Sequence, residues 1–341
     1  MSKAITKKII SLILTLFFVS LLIFFVFQII GGNPAEIILG TEADPKQILA
    51  LEKELGLDKP IFERYINWIL GLLRLDMGMS LKYQIPVREL FFKKLPVTMW
   101  LTFYSLILSI IIAIPLSIQI TMKADRWYAS IITAITQLGI SIPSFWLAFL
   151  LIHVFAVRLG IFSTLSFNIM GGDFFDKVRN FFLPSLAIAI PNIATIIRYM
   201  QAALLDEINK DYVRTARMKG MELREILYKH VLRNALIPVI TVIGMCLTSA
   251  VGGSLIVENV FSLPGIGSLI VASISSRDFT LIQSVVLAVA FLVIFINLFI
   301  ISFKFYYNLW SILFATSCVL LCPPISGVLT LLSEIVSSTA F

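Results

Sequence analysis

Cysteine and charge are both scarce in this 341-residue chain. Its three cysteines, Cys246, Cys318 and Cys322, supply no disulfide framework, and Cys318 and Cys322, two thiols without companion ligands, are a weak metal signal. Charged residues make up 14%, against about 25% in an ordinary soluble domain, and 59% of the chain is hydrophobic, which excludes a disordered or secreted class. No Gly-Lys dipeptide occurs anywhere, so a phosphate-cradling loop of the form G-x-x-x-x-G-K-[ST] is absent and ATP hydrolysis is not expected of this chain. Only two histidines are present. His153 falls inside an apolar run, where a hydrogen-bonded bundle residue is the ordinary role, and His230 falls where packing or capping is the default. Cys246 reads as a small apolar core residue. No Ser, His and Asp grouping appears, so neither a catalytic residue, nor a metal site, nor a cofactor is expected. The net charge of +7 lies between apolar runs rather than in a soluble patch, which points to membrane orientation and not to nucleic acid.

What the chain has in quantity is apolar length. A hydrocarbon core of about 30 Å takes about 20 apolar helical residues, and lipid leaves helices and closed barrels as the only spanning structures. Six runs meet that length: 9–30, 97–121, 130–157, 181–205, 237–260 and 281–303. None alternates with period two, which excludes the barrel. The first follows Lys3, Lys7 and Lys8 as a secretory signal would, but its 22 uncharged residues exceed the roughly 7 to 15 of a cleavable segment, so a retained helix is expected. With the amino end in the cytoplasm, the inward segments hold twelve Lys and Arg and the short outward loops hold four (Arg158, Lys177, Arg179 and Arg277), as positive-inside bias requires. The expected fold is an all-α polytopic membrane protein with six transmembrane helices, an external helical cap after the first, and a long cytoplasmic loop.

The external stretch after the first run carries nine basic and nine acidic residues. Asp44-Pro45 opens a helical pattern with Ile48, Leu51 and Leu55 on one side, ending at Gly56. A second pattern, 62–75, offers Tyr65, Ile66, Trp68, Ile69 and Leu72 for packing. A small helical cap on the outer surface is expected; a solvated spacer is the alternative.

The loop at 206–238 is too long for a plain helix connection of about 2 to 8 residues. Asp211 is placed to cap a two-turn helix that stops at Gly220, and a second helix is expected over 222–234, with Leu223, Ile226, Leu227 and His230 on one face and Pro238 starting the next span. A two-turn helix is marginal alone and must dock on something. Tyr212 offers an aromatic anchor, Ala216 permits close approach, and Arg214, Arg217 and Lys219 can meet acidic groups or anionic lipid; a basic helix lying on the inner leaflet is the competing reading.

The run 211–220, Asp-Tyr-Val-Arg-Thr-Ala-Arg-Met-Lys-Gly, with Leu-Arg-Asn-Ala-Leu-Ile-Pro at 232–238, resembles the coupling loop of ABC importer permeases, in particular the B-type subunit of the dipeptide, oligopeptide and nickel branch. In the same order along the chain, Leu-Gly-Leu-Asp-Lys-Pro (55–60), Leu-Asp-Met-Gly-Met-Ser (75–80), Pro-Val (86–87), Leu-Pro-Val-Thr (95–98), Gly-Ile-Ser-Ile-Pro-Ser-Phe-Trp (139–146), Val-Glu-Asn-Val-Phe (257–261), Pro-Gly-Ile-Gly (264–267) and Arg277-Asp278 resemble it too. Of the general importer pattern's alanine-rich triplet, glycine and late proline, only Ala216 and Gly220 stand in place, and the proline comes five residues late, which resembles the peptide and nickel branch's own variant. After Ser302 the resemblance stops. The tail 304–341 reads either as an altered reading frame or extension, or as a seventh span over 311–332 interrupted by Pro323-Pro324.

The resemblance implies a first helix with its external segment over 1–96, a five-helix importer domain over 97–303, and a coupling contact through Asp211, Tyr212, Arg214, Ala216, Arg217 and Gly220. It implies two separate ATPases, a second permease of the C type, an extracytoplasmic binding protein facing the cap and the 261–279 loop, and a bacterial cell membrane location. The cargo implied is a di- or oligopeptide, or nickel. Within the runs, Gln137 and Asn192 are polar candidates for the pathway, as are the close-approach glycines Gly139, Gly252 and Gly253; Arg198, near an inner end, is expected to snorkel, and Pro143 and Pro191 to kink their helices. A secondary transporter or channel is the competing class. It needs intramembrane acidic groups, and of these the runs hold only Glu258, at a boundary.

Overall fold

The computed structural model describes residues 2–30, 34–39, 44–54, 56–123, 126–162 and 174–320. Among them the chain is helical throughout, the only extended pairing being an isolated antiparallel bridge between Met79 and Pro86. The helices are α1 (Ser2–Ile30), α2 (Pro34–Leu39), α3 (Pro45–Glu54), α4 (Ile61–Leu73), α5 (Val87–Met122), α6 (Trp127–Ser141), α7 (Ser144–Leu151), α8 (Phe174–Ile208), α9 (Asp211–Met218), α10 (Leu223–Ile226), α11 (Leu232–Val260), α12 (Ile266–Ser275) and α13 (Phe279–Leu320). Residues up to Ile300 form one compact unit and Ile301–Phe341 a second.

Among the described residues, five helices are long and apolar enough to cross a membrane. The expected span at 130–157 is instead broken: α6 and the α7 segment, which continues as a π-helix over Ile152–Arg158, meet at 105°. The cause is local. A proline clashes with a helical residue before it, so Ile142 is extended (φ −86°, ψ 123°) and Pro143 serves as the cap of α7 rather than as a kink within one rod. Counting that bent pair as one span gives six. Pro191, by contrast, lies inside an unbroken α8.

The loop of 206–238 also differs from expectation. The helix expected over 222–234 does not end before a new span; α10, a π-helical turn over Leu227–Val231 and α11 run on as one apolar helix from Leu223 to Val260, with Pro238 inside it. Ile226 and Leu227 are buried, whereas Leu223 and His230 are exposed. His153 is exposed as well, on the π-helical turn after α7, rather than enclosed in a bundle. Arg198 is exposed near the α9 end of α8, and Cys246 is buried among apolar neighbours. The tail alternatives bear on residues after Ser302: α13 continues to Leu320, and 321–341 lie outside the described residues.

α5 and α8, which run in the same direction, and α11, which runs against them, make the centre of the bundle, and two apolar cores mark its ends. At one end Met200, Leu204 and Ile118 surround Val213, Ile226 and Val231; at the other Met77, Val87 and Phe91 meet Ile266, Leu269 and Leu281. Between them Leu101, Leu147, Ala187 and Val257 close the middle. On the flank, Gly244 faces Ile300 and Thr248 Oγ1 donates to Asn297 Oδ1 at 3.0 Å, joining α11 to α13.

Candidate functional site

Two constructions at opposite ends of the bundle concern function. The first is α9. Lys210, not Asp211, holds the cap position, with Asp211 the first helical residue; its side chain is 98% exposed and makes no capping bond. An acidic residue there still faces the positive helix end favourably. The other end stops as a Schellman motif: Gly220 (φ +82°) donates its N–H to Arg217 O at 2.9 Å, and Met221 donates to Ala216 O at 3.3 Å. Glycine suits the left-handed position because it has no Cβ penalty.

α9 is divided lengthwise. Val213 is buried, and Tyr212, Ala216 and Met221 pack beside it onto the ends of α8 and the α10–α11 helix. Tyr212 and Ala216 thus turn toward the chain's own bundle and not outward, because their spacing with Val213 puts all three on one face. The Tyr212 hydroxyl donates to Glu207 Oε2 at 2.8 Å, and Glu207 Oε1 lies 2.5 Å from Lys210 Nζ. Burial, aided by the Glu207 carboxylate and opposed by a bond with Asn234, pushes the Tyr212 phenol up to about 12. Arg214, Arg217, Met218 and Lys219 form the exposed face, with Met218 at 81% exposure. Arg214 is only 3.9 Å from Asp211 and both are bathed in solvent, so that pair contributes little. The result is a short rod fastened by apolar contacts and by the bonds of the Tyr212 hydroxyl, presenting cations and a bare methionine outward. Glu207 was not singled out by sequence; its place one turn before the rod, among basic residues, is the signal that was there.

The second construction joins motifs that sequence places far apart. Glu258, fully buried at the end of α11, accepts from Thr98 Oγ1 and from Gly267 N–H, each at 2.6 Å, while Thr98 Oγ1 accepts from Ile266 N–H at 2.9 Å. A Cβ on Gly265 would collide with the Glu258 carboxylate, and one on Gly267 with the Leu255 backbone. The Pro-Gly-Ile-Gly motif therefore wraps a carboxylate. At the other end of α12, buried Asp278 Oδ2 accepts from Ser80 Oγ at 2.6 Å and Lys82 N–H at 3.2 Å, while its Oδ1 accepts from Leu281 N–H. Ser284 Oγ adds a bond to Met77 O at 2.8 Å. Thus α12 is held by one buried carboxylate at each end, with Ser262 and Arg277, both non-glycine at φ +53°, at its two joints.

The pathway candidates are not brought together as one cluster. Gly139 is buried, where a Cβ would come within 3.1 Å of Ala194, and Asn192 is buried with its Nδ2 unpartnered by the described residues. Gln137 and Gly252 are exposed, and Gly253 lies close to Ser144.

Comparison with known proteins decides the family. Residues 105–309 match the binding-protein-dependent transport system inner membrane component family, and residues 1–102 match its N-terminal companion. The chain belongs to this family. Relatives over 292 residues include the glutathione transport system permease protein GsiC of Escherichia coli O6:H1 (strain CFT073) and that of Escherichia coli K12. Each is 36% identical and aligned over 86% of this chain and 93% of its own length. GsiC of Shigella dysenteriae serotype 1 matches to the same extent. The chain is accordingly an ABC importer permease, a multi-pass inner-membrane transport subunit and not an enzyme, and it works with a substrate-binding protein and an ATPase. In the permease, both carboxylate latches sit at the end remote from α9.

Proposed function

We propose that this permease carries short peptides inward as one half of a heterodimer with a C-type permease, driven through α9 by one of two ATPases. The observation that carries the coupling reading is the lengthwise division of α9: Val213, Tyr212 and Ala216 fasten it to the transmembrane helices, while Arg214, Arg217 and Met218 remain available to a groove on another protein. Gly220 ends the rod sharply, so a push on the exposed face is delivered to α8 and α11 rather than lost in a fraying helix. Transport then follows as a switch between two packings of these helices, biased by nucleotide on the ATPase. The chain itself holds no cofactor in this reading.

The basic bias favours an amino terminus and α9 in the cytoplasm, which turns α12 and the segment around Ser80 toward the binding protein. For cargo, the support is the relatives' name: glutathione is a tripeptide, and the sequence resembles the peptide and nickel branch. Exposed Gln137 and Gly252 are assigned to the pathway surface, with Gly139, Asn192 and Gly253 shaping its wall from behind.

Deletion of the gene followed by uptake measurement with labelled glutathione, a dipeptide and nickel tests the cargo. Loss of peptide uptake with nickel uptake intact is expected, and the reverse overturns it. Cross-linking from Arg217→Cys in the working complex tests the coupling: a product with the ATPase is expected, and adducts with lipid alone refute it.

A further inference from the structure

Helix α4 belongs to the stretch expected to cap the outer surface, but its contacts put it at membrane depth. Tyr65 OH and Ser20 Oγ are 2.8 Å apart and buried, and the Phe24 ring lies 5.4 Å from Tyr65 and 5.9 Å from Trp68. Ser20 sits in the middle of the apolar span Ile10–Ile29, about 15 Å of helix before the end of α1. Phe27, two turns further along, already faces Phe279, where the last span begins. The side chains of α4 therefore reach well past the level at which the spans emerge.

The surface of α4 agrees with that depth. Tyr65 and Trp68 face α1, and Leu72 packs against the core around Met77 and Val87. Beside them Phe62, Ile66, Leu70 and Leu73, at 73%, 38%, 46% and 77% exposure, make a second apolar stripe with spacings of four, four and three residues. Glu63, Asn67 and the half-buried Arg64 form the polar edge, and Lys59 pairs with Glu63 at 3.1 Å in an exposed position. The face of α1 opposite Ser20 and Phe24 is apolar and open too: Phe18, Leu22, Phe25 and Ile29 are 64%, 65%, 48% and 81% exposed on a helix that must meet lipid. The two hydroxyls between the helices satisfy each other, as groups without access to water must.

We propose that α4 is an interfacial helix, seated in the leaflet at the α12 end with Phe62, Ile66, Leu70 and Leu73 among acyl chains and Glu63 and Asn67 at the headgroups. Its partner is the phospholipid bilayer, and the external segment is fastened to the membrane by α4 rather than resting on it. The placement does not depend on which way the chain is oriented or on what it carries.

The test uses the whole transporter in phospholipid vesicles, with Cys246, Cys318 and Cys322 replaced by alanine. Spin labels are placed at Phe62→Cys, Ile66→Cys and Leu70→Cys, and at Glu63→Cys and Asn67→Cys. Collision with oxygen, which concentrates in lipid, is compared with collision by chromium oxalate, which stays in water. The oxygen-to-chromium ratio is expected to be several-fold higher at 62, 66 and 70 than at 63 and 67. A uniform, low ratio means a water-bathed helix; exclusion of both reagents along the stripe means a protein cover; either overturns the proposal. A photoactivatable phospholipid applied to the unmodified chain gives an independent reading: adducts on Phe62, Ile66 or Leu70 are expected, and adducts confined to α1 refute it.

Discussion

The two ends of the bundle are fastened by different physics. At the α12 end, buried carboxylates collect hydroxyl and backbone N–H donors from helices far apart in sequence: Glu258 binds α5 to α12, and Asp278 binds the Ser80 segment to the start of α13. At the α9 end the rod is held by Val213, Ala216 and Met221 in an apolar core, with bonds only from the Tyr212 hydroxyl among its described side chains, and its charges point away. Directional bonds to a buried carboxyl have one good geometry and resist sliding, whereas apolar contacts tolerate small shifts. One end is thus built to hold its shape, and the other to be grasped from outside and moved.

The largest contrast is expected from Gly267→Ala. Its Cβ would meet the Leu255 backbone, which cannot give way as a flexible side chain would, so the yield of monodisperse protein in detergent should collapse. Gly220→Ala at the other end meets open space and suffers only the left-handed backbone, at about 1 kcal/mol. Comparable losses for the two would remove the contrast.

Glu258→Ala strands Thr98 Oγ1 and the Gly267 N–H, and a buried donor left unsatisfied costs about 1–3 kcal/mol. Thermal denaturation should show a drop of about 3 kcal/mol, and a double-mutant cycle with Thr98→Val should reveal coupling of about 1 kcal/mol or more. Additive effects would mean that the carboxylate does not act through Thr98.

The α9 end should fail at alkaline pH. The folded Tyr212 phenol loses its proton near 12, against about 10 when unfolded, so its contribution is complete below pH 10 and disappears as pH climbs toward 12. Tyrosinate absorbance and protease sensitivity of the 206–238 loop should change together in that window. In Tyr212→Phe the loop should lose this pH dependence, and an unchanged alkaline transition would assign it elsewhere.

The smallest effect on folding should come from Arg214→Glu with Arg217→Glu, within about 0.5 kcal/mol as for most exposed substitutions. The same pair should lower substrate-stimulated ATPase activity of the assembled transporter by tenfold or more. Undiminished stimulation would show that the exposed cations of α9 take no part in coupling.

Much of this was open to reading from residues alone. Apolar run length located the spans, and Gly220 located the end of α9, because both depend on neighbours within a few residues. Asp211 was misjudged as a cap because whether the cap falls on residue 210 or 211 depends on the backbone entering the helix. The break at Ile142-Pro143 was underestimated for a related reason: a proline in an apolar run signals a bend, but not whether the two arms stay in line or turn through 105°.

The amino-acid order by itself determined that the chain lies in a membrane as helices, that it has no nucleotide loop of its own, and where its short amphipathic rod begins and stops. Periodicity, length and the special backbone freedom of glycine are local properties. Only the tertiary structure decided that Thr98, Glu258 and Gly267 form one latch, that Ser80 meets Asp278, that Tyr212 turns inward, and that α4 lies beside α1 at the level of Ser20. Each of these joins residues on different elements through directional contacts, and a one-dimensional pattern cannot say which buried donor will find which buried acceptor.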